Sequence, residues 1–261
     1  MSVVSNYTLV VEAVDDRLRI RAVNPSIEFG GAKEPLAAPV VDQEMTQLLG
    51  LTADYVVTKT GDYVGLSDLP AFRKAMQQIL DGWGTKSGND KARATMQEVL
   101  LSETFLNAQA SQQWHAMIGV WNGAEMKLGE PVTDVSEETF PLFGGQHVVM
   151  NTTFLASHWV DCRRGNVVRR CVQLEARTIP DAPALQRVLR DFMARLGEKG
   201  ELPPFEAFDV ETRIKLVAEP DTLIPHSCTL SKNVRIVIRD SGKPISAEQL
   251  DTTEILFSYW G

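Results

Sequence analysis

The sequence predicts an α+β protein: antiparallel, curved sheet of about eight or nine strands arranged in hairpins, with helices inserted and packed on one face. Three observations predict it. Phe208, Val210, Thr212, Ile214 and Leu216 alternate with Asp209, Glu211, Arg213 and Lys215, the pattern of an antiparallel sheet with one buried and one wetted face. Strand-like runs come in pairs around tight turn signals, at Asp15-Asp16, Thr60-Gly61-Asp62 and Gly165-Asn166. Two helix starts share an Asp-x-Pro opening, Asp68-Leu69-Pro70 and Asp181-Ala182-Pro183. There the aspartate caps free backbone N–H groups and the proline fits the first turn.

In chain order, residues 7–13 and 17–23 form a first hairpin, followed by Gly30-Gly31, Pro35 and Pro39 and a short helix over 41–49. Tyr55-Val56-Val57-Thr58 and Tyr63-Val64 make a second hairpin leading into a helix with Phe72, Met76, Ile79 and Leu80 on one stripe. A glycine-rich loop spans 82–89, and 91–122 reads as helix, with Trp114, Met117, Ile118 and Trp121 at i, i+3, i+4 and i+7. Strands follow over 147–161, 168–178, 206–218, 229–239 and 251–260, with one helix over 183–196. The expected organisation is one unit over 1–261. Its alternative is two similar halves, 1–122 and 146–261, joined by an acidic linker at 123–145, because the two Asp-x-Pro helices each follow a hairpin.

With 261 residues, 44% hydrophobic and 23% charged, the composition is that of an ordinary globular protein and excludes disordered, collagenous and coiled-coil classes. A net charge of −8 argues against nucleic acid as partner. No apolar run reaches the roughly 18 residues a membrane helix needs. No signal sequence stands at the start, which is expected of a mature domain whose export signal has been removed; a lipid anchor would precede residue 1.

Cys162 and Cys171 flank a hairpin tip, and a symmetric register sets them opposite each other, so a disulfide between them is expected. It places the protein in an oxidising compartment, periplasmic or associated with the outer membrane, with the cytoplasm as alternative. Cys228 is the odd thiol, and His226, two residues away, shares its strand face.

Motifs for chemistry are missing. There is no G-x-S-x-G elbow, no P-loop order in 82–88, and no H-x-H, H-E-x-x-H or C-x-x-C spacing among His115, His147, His158, His226 and the cysteines. No catalytic residue, metal ligand set or cofactor is therefore expected. His147 and His158 have opposite parity on one strand, and the symmetric register sets His158 against Glu175. Against this background Arg163, Arg164, Arg169 and Arg170 stand out, four guanidinium groups at the hairpin tip of an acidic protein. Such forks suit docking on carboxylates or phosphates.

The hairpins with inserted helices, the Cys162/Cys171 hairpin and the segment Glu219-Pro220-Asp221-Thr222-Leu223-Ile224-Pro225 between two long strands resemble an exported bacterial lipoprotein of an uncharacterised family. The organisation is similar to the curved half-barrels of lipoprotein carriers of the LolA and LolB type. That resemblance covers most of the chain in outline and implies a hollow for acyl chains, which the helix over 91–122 would fill. The expected function is a non-catalytic binding protein, first a protein-binding inhibitor of the immunity type that neutralises a toxin or hydrolase, with the four arginines in its interface. A carrier of lipid or another apolar ligand is the alternative, with Trp114, Met117, Ile118 and Trp121 lining its cavity. An enzyme with a fold-assembled site ranks third. The sequence leaves the oligomeric state open.

Overall fold

The computed structural model describes residues 2–30, 53–83, 94, 97–140, 146–195, 205–240 and 243–259. The helix expected over 41–49 and most of the loop over 82–89 lie outside them. The fold is α+β, with ten strands in two open antiparallel sheets among the described residues. It divides into two units, Met1–His115 and Ala116–Gly261.

In the first unit, β1 (Ser2–Val14), β2 (Arg17–Gly30), β3 (Tyr55–Thr58) and β4 (Tyr63–Leu66) form a sheet in sequence order. The turn between β3 and β4 is set by Gly61 at φ +92°, a conformation that favours glycine, and by Thr58 Oγ1 donating to Asp62 at 3.1 Å. Helix α1 (Leu69–Trp83) starts as expected, with the Ala71 N–H donating to Asp68 Oδ1 at 2.9 Å. Met76 and Leu80 are buried against Leu106 of α2 (Glu103–Met117). Helix α2 also holds the hairpin, through residues next to Leu106 on the same face. Asn107 Oδ1 accepts from the Leu66 N–H and the Tyr63 hydroxyl, both at 3.1 Å, and the Trp114 indole donates to Gly61 O at 2.8 Å.

In the second unit, β5 (Val132–Phe140), β6 (Gln146–Arg164), β7 (Val167–Pro180), β8 (Phe205–Ala218), β9 (Pro225–Asp240) and β10 (Lys243–Leu256) pair in chain order. One face carries the core. Ala156, Val172, Leu174, Ala176, Ile214, Leu216, Ala218 and Cys228 pack with Trp121 at one end, and Val148, Met150 and Phe208 pack with Leu185 and Val188 at the other. The alternation read in 208–216 holds: Phe208, Ile214 and Leu216 are buried, while Asp209, Arg213 and Lys215 are exposed. Helix α3 (Ala182–Arg195) seats Leu185 and Val188 on that face. It is capped by Asp181, whose Oδ1 accepts from the Ala184 N–H at 2.8 Å. Replacing Asp181 by Ala is expected to lower stability by about 1 kcal/mol in urea denaturation, because an N-terminal donor loses its acceptor.

Two expectations need correction. The stretch assigned to a linker contains β5, paired with β6 from Val132↔Phe154 to Phe140↔Gln146. Its described side chains, from Val132 to Glu138, are exposed, so it needs no apolar face, and its acidic composition hid an edge strand. The helix expected to run to 122 ends at Met117 and is followed by a 3-10 turn over Gly119–Trp121.

Candidate functional site

The tip of the β6–β7 hairpin is a two-stranded overhang. β5 pairs with β6 no further than Phe154, and β8 reaches β7 only from Val172. A two-stranded ribbon without flanking strands is marginal in water, and here a disulfide between Cys162 and Cys171 ties it, at a Cα–Cα separation of 5.8 Å. The disulfide is as expected but the register is not. Cys162 pairs with Arg169, and Cys171 pairs with Val160. Gly165 takes φ +60° as the first central residue of a two-residue turn with Asn166. Centring the turn there moves every partner by two residues, so the bridge is diagonal and strand twist closes it.

A bulge decides which face the bridge occupies. The pairing of β6 with β7 shifts between Ala156 and His158. Ala156 lies on the core face; beyond the extra residue, Ser157, even-numbered positions turn to the opposite face, and Cys162 goes with Cys171. The turn at Gly165-Asn166, not the bulge, sets His158 against Gln173 instead of Glu175. His158 is exposed, and its Nδ1 lies 3.0 Å from Ser157 Oγ. The bulge brings His147 and His158 to one face, but eleven residues apart, roughly 35 Å along the strand.

A second shift, between Val217↔Ser227 and Ala218↔Pro225, leaves His226 as the extra residue of β9. Cys228 stays in the core, and burial pushes its thiol up to about 11, which works against a nucleophilic role. His226 instead joins the disulfide: the Cys162 Sγ, Cys171 Sγ and a ring nitrogen of His226 lie within 4.8 Å of one another. Glu219, the first residue after β8, stands next to this group on the His226 side, outside the 4.8 Å spacing. Its turn is closed by the Leu223 N–H donating to Glu219 O at 2.9 Å and the Glu219 N–H donating to Ile224 O at 3.0 Å.

The cluster is enclosed on the face opposite the core. Cys162 and Cys171 are buried, and the side chains of His226 and Glu219 are 8% and 10% exposed. Tyr259 covers it, with ring centroid 5.8 Å from that of His226 and hydroxyl donating to Pro225 O. Burial raises the Tyr259 phenol to about 12, so it remains a neutral donor. His226 Nε2 and Arg169 Nε each lie 3.6 Å from Glu219 Oε1. Yet Glu219 Oε1 and His226 Nε2 are buried without a hydrogen-bond partner among the described residues. Nothing periodic in the sequence marks Glu219 or Tyr259; both are placed by strand ends.

Alternation separates the four arginines. Arg164 and Arg169 share the cluster's face, Arg164 lying 5.5 Å from the Tyr259 ring centroid. Arg163 and Arg170 point to the other face, where the Arg170 guanidinium stacks 4.4 Å from the ring centroid of Trp159. Trp159 is 40% exposed and Val168 58%.

The stripe of Trp114, Met117, Ile118 and Trp121 is divided between the two units. Trp114 packs in the first unit beside Tyr55, centroids 5.7 Å apart, while Trp121 is buried in the core of the second. Ile118 falls past the end of α2, and the Met117 side chain lies outside the described residues. Two open grooves, one in each unit, measure about 380 and 410 Å³ and are edged by arginines. The second includes Glu211, whose carboxyl is held down to about 2 by hydrogen bonds from Arg177 and Arg213. This carboxylate stabilises the fold above its ordinary range near 4.5, and the contribution is lost as pH falls toward 2. Glu211→Gln is therefore expected to flatten the fall in Tm between pH 5 and 2, checked by calorimetry.

Comparisons with protein-family models, curated protein sequences and solved structures return no match for the chain. No helix among the described residues is long and apolar enough to cross a membrane.

Proposed function

We propose that the protein is a non-catalytic binding protein that engages another protein through the tip of the β6–β7 hairpin. The observation that carries this reading is the solvent-facing set Trp159, Arg163, Val168 and Arg170 on an overhang closed by a disulfide. Tryptophan and arginine dominate binding hot spots. A cross-linked hairpin also loses little conformational freedom on docking.

A cationic two-stranded tip is suited to a concave acidic surface, which supports an inhibitor of the immunity type whose target is a hydrolase or toxin with an acidic cleft. The disulfide supports residence in an oxidising compartment such as the periplasm.

The test is capture of a target from secreted and periplasmic extracts by the oxidised protein, with Arg163→Glu/Arg170→Glu alongside. These two positions are chosen because Arg169 contacts buried Glu219 and Arg164 lies over Tyr259, so reversing those would disturb the fold as well as the surface. The double variant is expected to bind the captured target at least about 30-fold more weakly, the scale of a central hot spot, with an unchanged Tm. Equal affinity removes the tip from the interface.

A further inference from the structure

Glu219 Oε1 and His226 Nε2 face each other in a closed space, without hydrogen-bond partners among the described residues, beside two cysteine sulfurs. Buried polar atoms of this kind call for a missing partner. We propose that in the reduced protein Cys162, Cys171, His226 and Glu219 bind one zinc ion, so that zinc replaces the disulfide as the tie between the two hairpin strands and joins them to the β8–β9 turn as well. The inference does not depend on what the tip binds.

The donor set is one zinc accepts: two thiolates, an imidazole and a carboxylate. Tetrahedral bonds of about 2.0–2.3 Å require donor atoms roughly 3.3–3.8 Å apart. His226 Nε2 and Glu219 Oε1 are already 3.6 Å apart, and both sulfurs lie within 4.8 Å of the imidazole; Glu219 stands outside that three-residue group and reaches the ion as fourth ligand by turning its side chain. Reduction releases the sulfurs from their bond, and the Cα separation of 5.8 Å leaves room for them to part around an ion. Charge is balanced as well. Two thiolates and a carboxylate against Zn²⁺ leave one negative charge, and the Arg169 guanidinium sits 3.6 Å from Glu219 Oε1. The oxidised protein offers only His226 and Glu219, too few donors for a stable site.

The chemistry closes without further reactants. A water-soluble phosphine attacks the disulfide and is hydrolysed to its oxide, taking oxygen from one water while the two protons of that water go to the sulfurs. Zinc then displaces both thiol protons to solvent as two Zn–S bonds form.

The test is zinc titration against a chromophoric chelator, on protein kept reduced by phosphine and on oxidised protein. One equivalent is expected to bind the reduced form with Kd below about 1 µM, and none the oxidised form. His226→Ala is expected to weaken binding about 100-fold and Glu219→Gln about 10-fold, with Cys228→Ala unchanged. Should reduction loosen the fold, zinc must restore its circular dichroism. Cobalt(II) added to the reduced wild type supplies a readout that needs no variant: intense visible bands of a tetrahedral site with two thiolates. Zinc uptake by the oxidised form, full affinity in His226→Ala, octahedral cobalt bands, or a reduced chain that zinc neither binds nor refolds would each overturn the proposal.

Discussion

Trp121→Ala is expected to cost about 3–5 kcal/mol, the largest loss for a single side chain in the second unit. Trp121 is 2% exposed and packs edge-on against Phe154, with centroids 5.9 Å apart, among Val172, Leu174, Leu216 and Ala218. It is the one buried residue of the 3-10 turn that delivers it, so its loss leaves a void between that turn and the sheet. Its indole N–H is buried without an acceptor among the described residues. Trp121→Phe therefore loses volume but no hydrogen bond and is expected to cost about 1–2 kcal/mol. Urea unfolding followed by circular dichroism checks both values, and a small effect of Trp121→Ala would mean that Trp121 is not the core residue of its end of the sheet.

Cys162→Ser/Cys171→Ser is expected to lower stability by about 2–3 kcal/mol, the loop-closure value for a bridge of sequence separation nine. The effect on binding should exceed what stability alone gives. The overhang beyond Val172 has no flanking strand, so without its bridge the ribbon frays and Trp159, Arg163 and Arg170 lose their fixed spacing. Target affinity is expected to fall about tenfold while the rest of the sheet remains folded. Cys228→Ser provides the contrast: it removes a thiol from the core and leaves the tip intact.

The alternating residues of β8 and the Asp-x-Pro helix starts were legible because each is a local rule with its full period visible in the chain. The disulfide was legible from two cysteines about a turn, but its register was not. Gly165 draws the turn one residue toward the N-terminus, and only the pairing reveals that Ser157 is extra. Both bulges lack a sequence pattern, yet they carry Cys162 and His226 to the face where they meet. The same absence of pattern explains why a search for metal-ligand spacings finds nothing there: the donors come from three strands and a turn. The helical stripe misled because 3.6-residue spacing continues through Trp121 while the helix stops at Met117. The acidic run at 134–138 misled because an edge strand can be exposed on every described side chain.

Hydrogen exchange of the oxidised protein, alone and with its captured target, tests the binding surface most directly. The reading proposed here predicts added protection concentrated in residues 159–170. Unchanged exchange there, with protection instead along β10, whose fourteen residues form an open edge of the six-stranded sheet, would contradict it.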